Sequence, residues 1–119
     1  MAALTKEQIL AAQDLKTETV AVPEWGGEVT IRSMTGADRD AYEQSLIEAR
    51  GDDKIKRVAN VRARLVAFCL VDEAGVRLFG EAEVEALGAK SAAALDRLFA
   101  ACAKLNAVGE ADIEVLAKN

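Results

Sequence analysis

The sequence contains no histidine, which removes the side chain that most often serves as a general base or as a metal ligand. Serine triads and cysteine–histidine dyads are therefore excluded. The two cysteines, Cys69 and Cys102, form no CxxC pair and cannot build a structural zinc site by themselves. Gly26 and Gly27 are not followed by the lysine and hydroxyl residue of a phosphate-binding loop. We therefore predict a protein that is not an enzyme and that binds no metal, nucleotide or organic cofactor.

Three further scarcities limit the class of protein. Aromatic residues make up only 4% of the chain and much of its 51% hydrophobic content is alanine, which favours packed helices over a β-sandwich. The net charge is −5, so a nucleic-acid partner is not predicted. No apolar run reaches the roughly 18 residues of a membrane span, and no secretory signal is visible. We therefore expect a soluble cytoplasmic protein with reduced, buried cysteines.

The length of 119 residues predicts a single domain that spans residues 1–119. A β-hairpin is predicted over about residues 16–34 because β-branched residues are frequent there. Its second strand alternates apolar and polar side chains. Residues 23–27 supply a proline, a tryptophan and two glycines, which is typical of a turn.

The rest of the chain shows helical periodicity. Thr5 and Gln8 form a capping-box pattern, and Leu95, Leu98 and Cys102 belong to the clearest apolar stripe. Gly88 is predicted to end its helix as a left-handed cap. Helices are predicted over about residues 5–13, 35–49, 54–70, 81–87 and 91–106. The fold class that follows is α+β: a small domain with an N-terminal β-hairpin packed with a mainly helical body.

Two features of the sequence indicate a partner-binding surface. Trp25 is the only tryptophan and falls at the predicted hairpin turn, where it is either an interface anchor or a cover over one end of the core. Four basic residues share a predicted helical stripe in an otherwise acidic chain, and they can dock an acidic partner or form an ordinary solvated face. These residues are Arg50, Lys54, Arg57 and Arg64.

Several short segments, spread over most of the chain, occur in an arrangement that characterises one known family. Early in the chain they are Leu4-Thr5-Lys6-Glu7-Gln8-Ile9-Leu10, Asp14-Leu15-Lys16-Thr17-Glu18, Val22-Pro23-Glu24-Trp25-Gly26-Gly27, Val29-Thr30-Ile31-Arg32 and Met34-Thr35-Gly36-Ala37-Asp38-Arg39-Asp40. Later they are Cys69-Leu70-Val71-Asp72-Glu73, Leu78-Phe79 and the predicted helix from Leu98 to Leu105. In these segments the chain resembles the tail assembly chaperones of long-tailed bacteriophages and prophages.

The resemblance implies a function in assembly. Such chaperones bind the long helical tape measure protein, keep it soluble and help to recruit tail tube subunits. They act in the host bacterial cytoplasm and are absent from the mature virion. A small protein can cover exposed apolar helical surface reversibly if its interface is modest and partly polar, so the implied function needs no nucleotide site.

Two other functions stay open at this point. One is a phage structural or connector protein that is retained in the virion. The other is a small bacterial regulatory binding protein. Self-association also stays open, because apolar helices in a protein of this size can pair with a second copy.

Overall fold

The structure, a computed structural model, describes residues 3–48 and 60–107. Its helices are α1 (Lys6–Ala11), α2 (Gly36–Glu48), α3 (Val61–Cys69), α4 (Val84–Gly88) and α5 (Ala92–Leu105). Its strands are β1 (Thr17–Val22), β2 (Gly27–Arg32) and β3 (Leu70–Val71), and short 3₁₀ turns occupy Pro23–Trp25 and Glu81–Glu83. The predicted α+β class is confirmed, while the single-domain boundaries stay a prediction.

The β-hairpin follows the predicted pattern. Strands β1 and β2 pair antiparallel from Thr17 opposite Arg32 to Val22 opposite Gly27. The connecting 3₁₀ turn ends at Gly26, whose φ of 77° lies in the left-handed region that favours glycine. The alternation predicted for β2 places Ile31 in the core, where it is fully buried.

The sequence did not predict the third strand. Leu70 and Val71 pair antiparallel with Ile31 and Thr30 of β2, so the hairpin becomes a three-stranded sheet in the order β1-β2-β3. The helix predicted over residues 54–70 therefore extends one residue beyond the observed end of α3 at Cys69. The first six residues of the predicted range lie outside the described part of the chain. Two strand residues directly after a buried helix carry no periodicity of their own.

Helix α3 runs through the centre of the core. The structure buries α3 on nearly every side, including Ala63, Leu65, Val66 and Ala67. Helix α5 packs against α3 through the predicted apolar stripe, in which Leu98 and Cys102 are fully buried. Small alanines between larger residues allow the two helices to approach closely.

Gly88 is not the left-handed cap that the sequence predicted. It forms the last residue of α4, and it is absent from the positive-φ glycines of the described chain, which are Gly26 and Gly75. A Cβ atom on Gly88 would lie 2.7 Å from Oδ1 of Asn60 and 3.6 Å from Cβ of Ala63. A larger residue at this position would require the Asn60 side chain to move, because α4 packs closely against the start of α3.

The two cysteines are free and fully buried, as predicted. They lie side by side, and their mutual hydrogen bond, together with burial, raises the pKa of the Cys102 thiol far above its ordinary value. Asn106 holds this pair in place, since its Nδ2 donates to Cys69 Sγ at 3.3 Å and to the Cys102 carbonyl at 2.8 Å. Cys102, protonated and enclosed, is therefore a packing residue and not a nucleophile.

Candidate partner-binding surface

Trp25 lies at the end of the hairpin, as predicted, but its ring does not project freely. The side chain is half-buried and packs against the hydrophobic core. Its indole Nε1 is buried and has no hydrogen-bond acceptor among the described residues. Trp25 therefore covers one end of the core with part of its ring, while the rest of the ring stays exposed.

An open apolar groove of about 280 Å³ lies beside Trp25. Its other walls come from Phe79, from Ala86 and Leu87 of α4, and from Lys90 just after α4. Leu87 is buried and Phe79 is half-buried, whereas Ala86 and Lys90 are exposed at the opening. We call this feature the Trp25 groove. The sequence did not indicate it, because its walls come from segments far apart in the chain.

The turn that carries Trp25 is anchored to α5 by a bidentate ion pair. Arg97 donates from Nη1 and Nη2 to the two carboxylate oxygens of Glu24, at 2.7 and 2.9 Å. The hydrogen bonds from Arg97 lower the pKa of Glu24 from 4.5 to about 2. Two parallel hydrogen bonds between a guanidinium and a carboxylate fix the orientation of the two groups as well as their distance. The ion pair therefore holds the turn on the Trp25 side of the groove in place.

The opposite side of the groove is also held by specific contacts. Arg77 donates from Nη2 to the carbonyl of Phe79 at 3.0 Å and from Nε to the carbonyl of Ala67 at 3.2 Å. Its guanidinium lies 4.2 Å from the centre of the Phe68 ring. The start of α4 is fixed by Glu83, whose side chain accepts from the Gly80 N–H at 3.0 Å. The groove is therefore largely preformed.

Only Arg64 of the predicted basic stripe lies within the described residues; Arg50, Lys54 and Arg57 lie outside them. The Arg64 side chain is only 12% exposed and forms an ion pair with Glu81. Its Nε is buried without a hydrogen-bond partner in the described part of the chain. Arg64 thus has little surface to offer a partner, and the partner-binding role of the other three residues stays a prediction.

A second concavity, of about 350 Å³, lies at the open end of the hairpin. Its polar groups already bond to one another: Met34 N–H donates to Asn106 Oδ1 at 2.6 Å, and Lys16 N–H donates to Ser33 Oγ at 2.9 Å. Arg39 donates to the Asn106 carbonyl at 3.3 Å. This cleft is a seam between α2, α5 and the sheet.

Helix α1 offers another exposed surface. It contains no buried residue, and Ile9 and Leu10 are 57% and 78% exposed. Leu4 beside it is 70% exposed. The apolar side chains of this helix are therefore largely uncovered.

Comparison with known proteins decides the family. A family model described as "Phage tail assembly chaperone" matches residues 5–118. The chain belongs to the phage tail assembly chaperone family. The solved structure of the bacteriophage HK97 tail assembly chaperone is also similar in fold, with a TM-score of 0.60 and 24% identity. That similarity covers 83% of this chain and 94% of the other. The curated proteins include no match.

The resemblance predicted from short segments of the sequence is therefore confirmed. Membership of this family implies that the chain binds other proteins of the phage tail. Within residues 3–48 and 60–107, no cluster of cysteine and acidic side chains is arranged to hold a metal ion. No helix in those ranges is both long enough and apolar enough to cross a membrane.

Proposed function

We propose that this tail assembly chaperone binds the tape measure protein, keeps it soluble and helps to recruit tail tube subunits. It does so in the host cytoplasm and is released before the virion is complete. The observation that supports this proposal most strongly is the family match over residues 5–118. An elongated helical client exposes apolar surface until the tube encloses it, so its chaperone needs an apolar surface of limited size.

The binding surface that we propose combines an apolar anchor with a charged rim. Trp25 and the groove beside it are the anchor, since half-buried tryptophan in a preformed pocket is typical of binding hot spots. Arg50, Lys54 and Arg57 would supply the rim. Arg64, which the sequence grouped with them, holds Glu81 instead.

Co-expression tests the function directly. The tape measure protein is expressed with and without the chaperone, and we expect the soluble fraction to increase and an affinity-tagged chaperone to retain the client. A tail tube protein added to this complex should be retained as well. Purified virions analysed by mass spectrometry should lack the chaperone. Its stoichiometric presence in virions would instead identify a structural component.

Two variants separate the anchor from the rim. Trp25→Ala should weaken binding of the client by about 2 kcal/mol. Reversal of Arg50 and Arg57 to glutamate should mainly slow association and reduce its dependence on salt. Circular dichroism of each variant establishes that it is folded. If both folded variants bind like the wild type, the client contacts another surface, such as the exposed face of α1.

A further inference from the structure

The Trp25 groove has a chemistry that defines the kind of segment it accepts. Four of its lining residues are apolar or aromatic, and of the described residues that line it only Lys90 is charged. Lys90 is exposed and forms no ion pair with any residue in the described ranges. A bound segment that complements both the apolar walls and the charge of Lys90 carries apolar side chains and an adjacent carboxylate.

The walls of the groove also restrict the backbone of the occupant. They are side chains from a 3₁₀ turn, from α4 and from the residues beside α4, and none belongs to a strand. A strand lying in the groove would find no sheet edge among these lining residues with which to pair its N–H and C=O groups. A helix satisfies its own backbone groups, so it can enter such a groove with side chains alone.

We propose that the Trp25 groove binds one amphipathic helix of the client, through two apolar side chains spaced three or four residues apart and a glutamate or aspartate that pairs with Lys90. Side chains at that spacing lie on one helix face, and a carboxylate one turn away reaches the rim. This inference rests on the proposed function, because it assigns the client's contact to one site on the chaperone. It adds Phe79, Ala86, Leu87 and Lys90 to the binding surface, none of which the sequence indicated.

The single tryptophan allows occupancy of the groove to be measured without reference to activity. We would incorporate 5-fluorotryptophan, so that the protein gives one ¹⁹F resonance, and add synthetic peptides that tile the predicted helices of the tape measure protein. A peptide with the proposed pattern is expected to shift this resonance. The same peptide with its carboxylate residue changed to glutamine should bind more weakly.

Substitutions at the opening avoid disturbing the core. Ala86→Gln fills the groove with an uncharged side chain that is tolerated in helices, and Ala93→Gln is the matched control on an exposed position of α5. Lys90→Glu reverses the rim charge, and Lys104→Glu is its control. We expect Ala86→Gln and Lys90→Glu to reduce affinity for the peptide and for the full-length client by about 30-fold and tenfold respectively. Both controls should bind like the wild type.

The outcomes separate this inference from the function on which it rests. If the wild-type chain retains the full-length client while the ¹⁹F resonance stays unmoved and both groove variants bind like their controls, the groove assignment is wrong and the function stands. If the wild-type chain binds no tape measure protein at all, the proposed function fails, and the groove loses its proposed occupant with it. Binding to a strand-forming peptide in preference to the helical one would also contradict the proposal.

Discussion

Helices α1 and α5 both start at a hydroxyl N-cap, but they differ in how much of each helix is buried. Thr5 caps α1 within a complete capping box, and Ser91 caps α5 by accepting from the Ala94 N–H at 3.3 Å. Helix α1 buries no residue, whereas α5 buries Leu98 and Cys102 completely. A cap therefore decides where a helix begins, and burial decides how firmly the helix is held. Substitutions in or beside α5, with comparison substitutions in or beside α1, test this difference.

The largest effect is expected when α5 loses a core side chain. Leu98→Ala should lower the free energy of unfolding by about 3 kcal/mol, because it removes a fully buried side chain and leaves a cavity. Chemical denaturation measures this change. Leu10→Ala in α1 removes the same atoms from a side chain that is 78% exposed, and should leave the unfolding free energy nearly unchanged. Equal losses from the two substitutions would contradict the assignment of burial to the two helices.

Asn106, which caps the end of α5, is expected to come next. Its side chain bonds the Met34 N–H, the Cys102 carbonyl and the Cys69 sulfur. Asn106→Ala should cost about 2 kcal/mol, because it leaves a part-buried N–H without its acceptor. Thermal unfolding monitored by circular dichroism reports the loss. Gln13→Ala, at an exposed position just after α1, provides the comparison and should have no effect.

A smaller, pH-dependent effect is expected from the ion pair between α5 and the hairpin turn. Arg97 holds the pKa of Glu24 near 2, below its ordinary 4.5, so the stabilisation is present above about pH 4.5 and is lost as the pH falls towards 2. The difference in Tm between the wild type and Arg97→Gln should follow this course. Gln13→Ala, which changes no charge, serves as the control. A difference in Tm that stays constant down to pH 2 would mean that the ionised form of Glu24 is not its cause.

The smallest global effect is expected at the cap of α1. Thr5→Ala removes the acceptor of the Gln8 N–H, and should weaken α1 itself by about 1 kcal/mol without changing the unfolding midpoint. Amide hydrogen exchange would detect faster exchange confined to α1. Ser91→Ala removes the equivalent acceptor from α5 and should lower the midpoint of the whole protein. If Thr5→Ala also lowers it, α1 packs on the body in solution.

Local residue patterns identified much of the fold. The alternation in β2, the turn at residues 23–27, the capping box of α1 and the α5 stripe all depend on residues within a turn or two of each other, so the sequence displays them directly. The placement of Trp25 at the hairpin turn was predicted for the same reason. Its exposure was not, because the two interpretations of Trp25 differ only in what packs against it.

The sequence by itself determined the fold class, the starts of α1 and α5, the burial of both cysteines and the resemblance that the family match confirms. Only the tertiary structure decided that Leu70 and Val71 extend the sheet, that α3 is enclosed on nearly all sides and that Gly88 allows α4 to approach α3. It also brought Lys90 and Phe79 beside Trp25. These features depend on contacts between distant segments, and such contacts leave no periodic signal in the segments that make them.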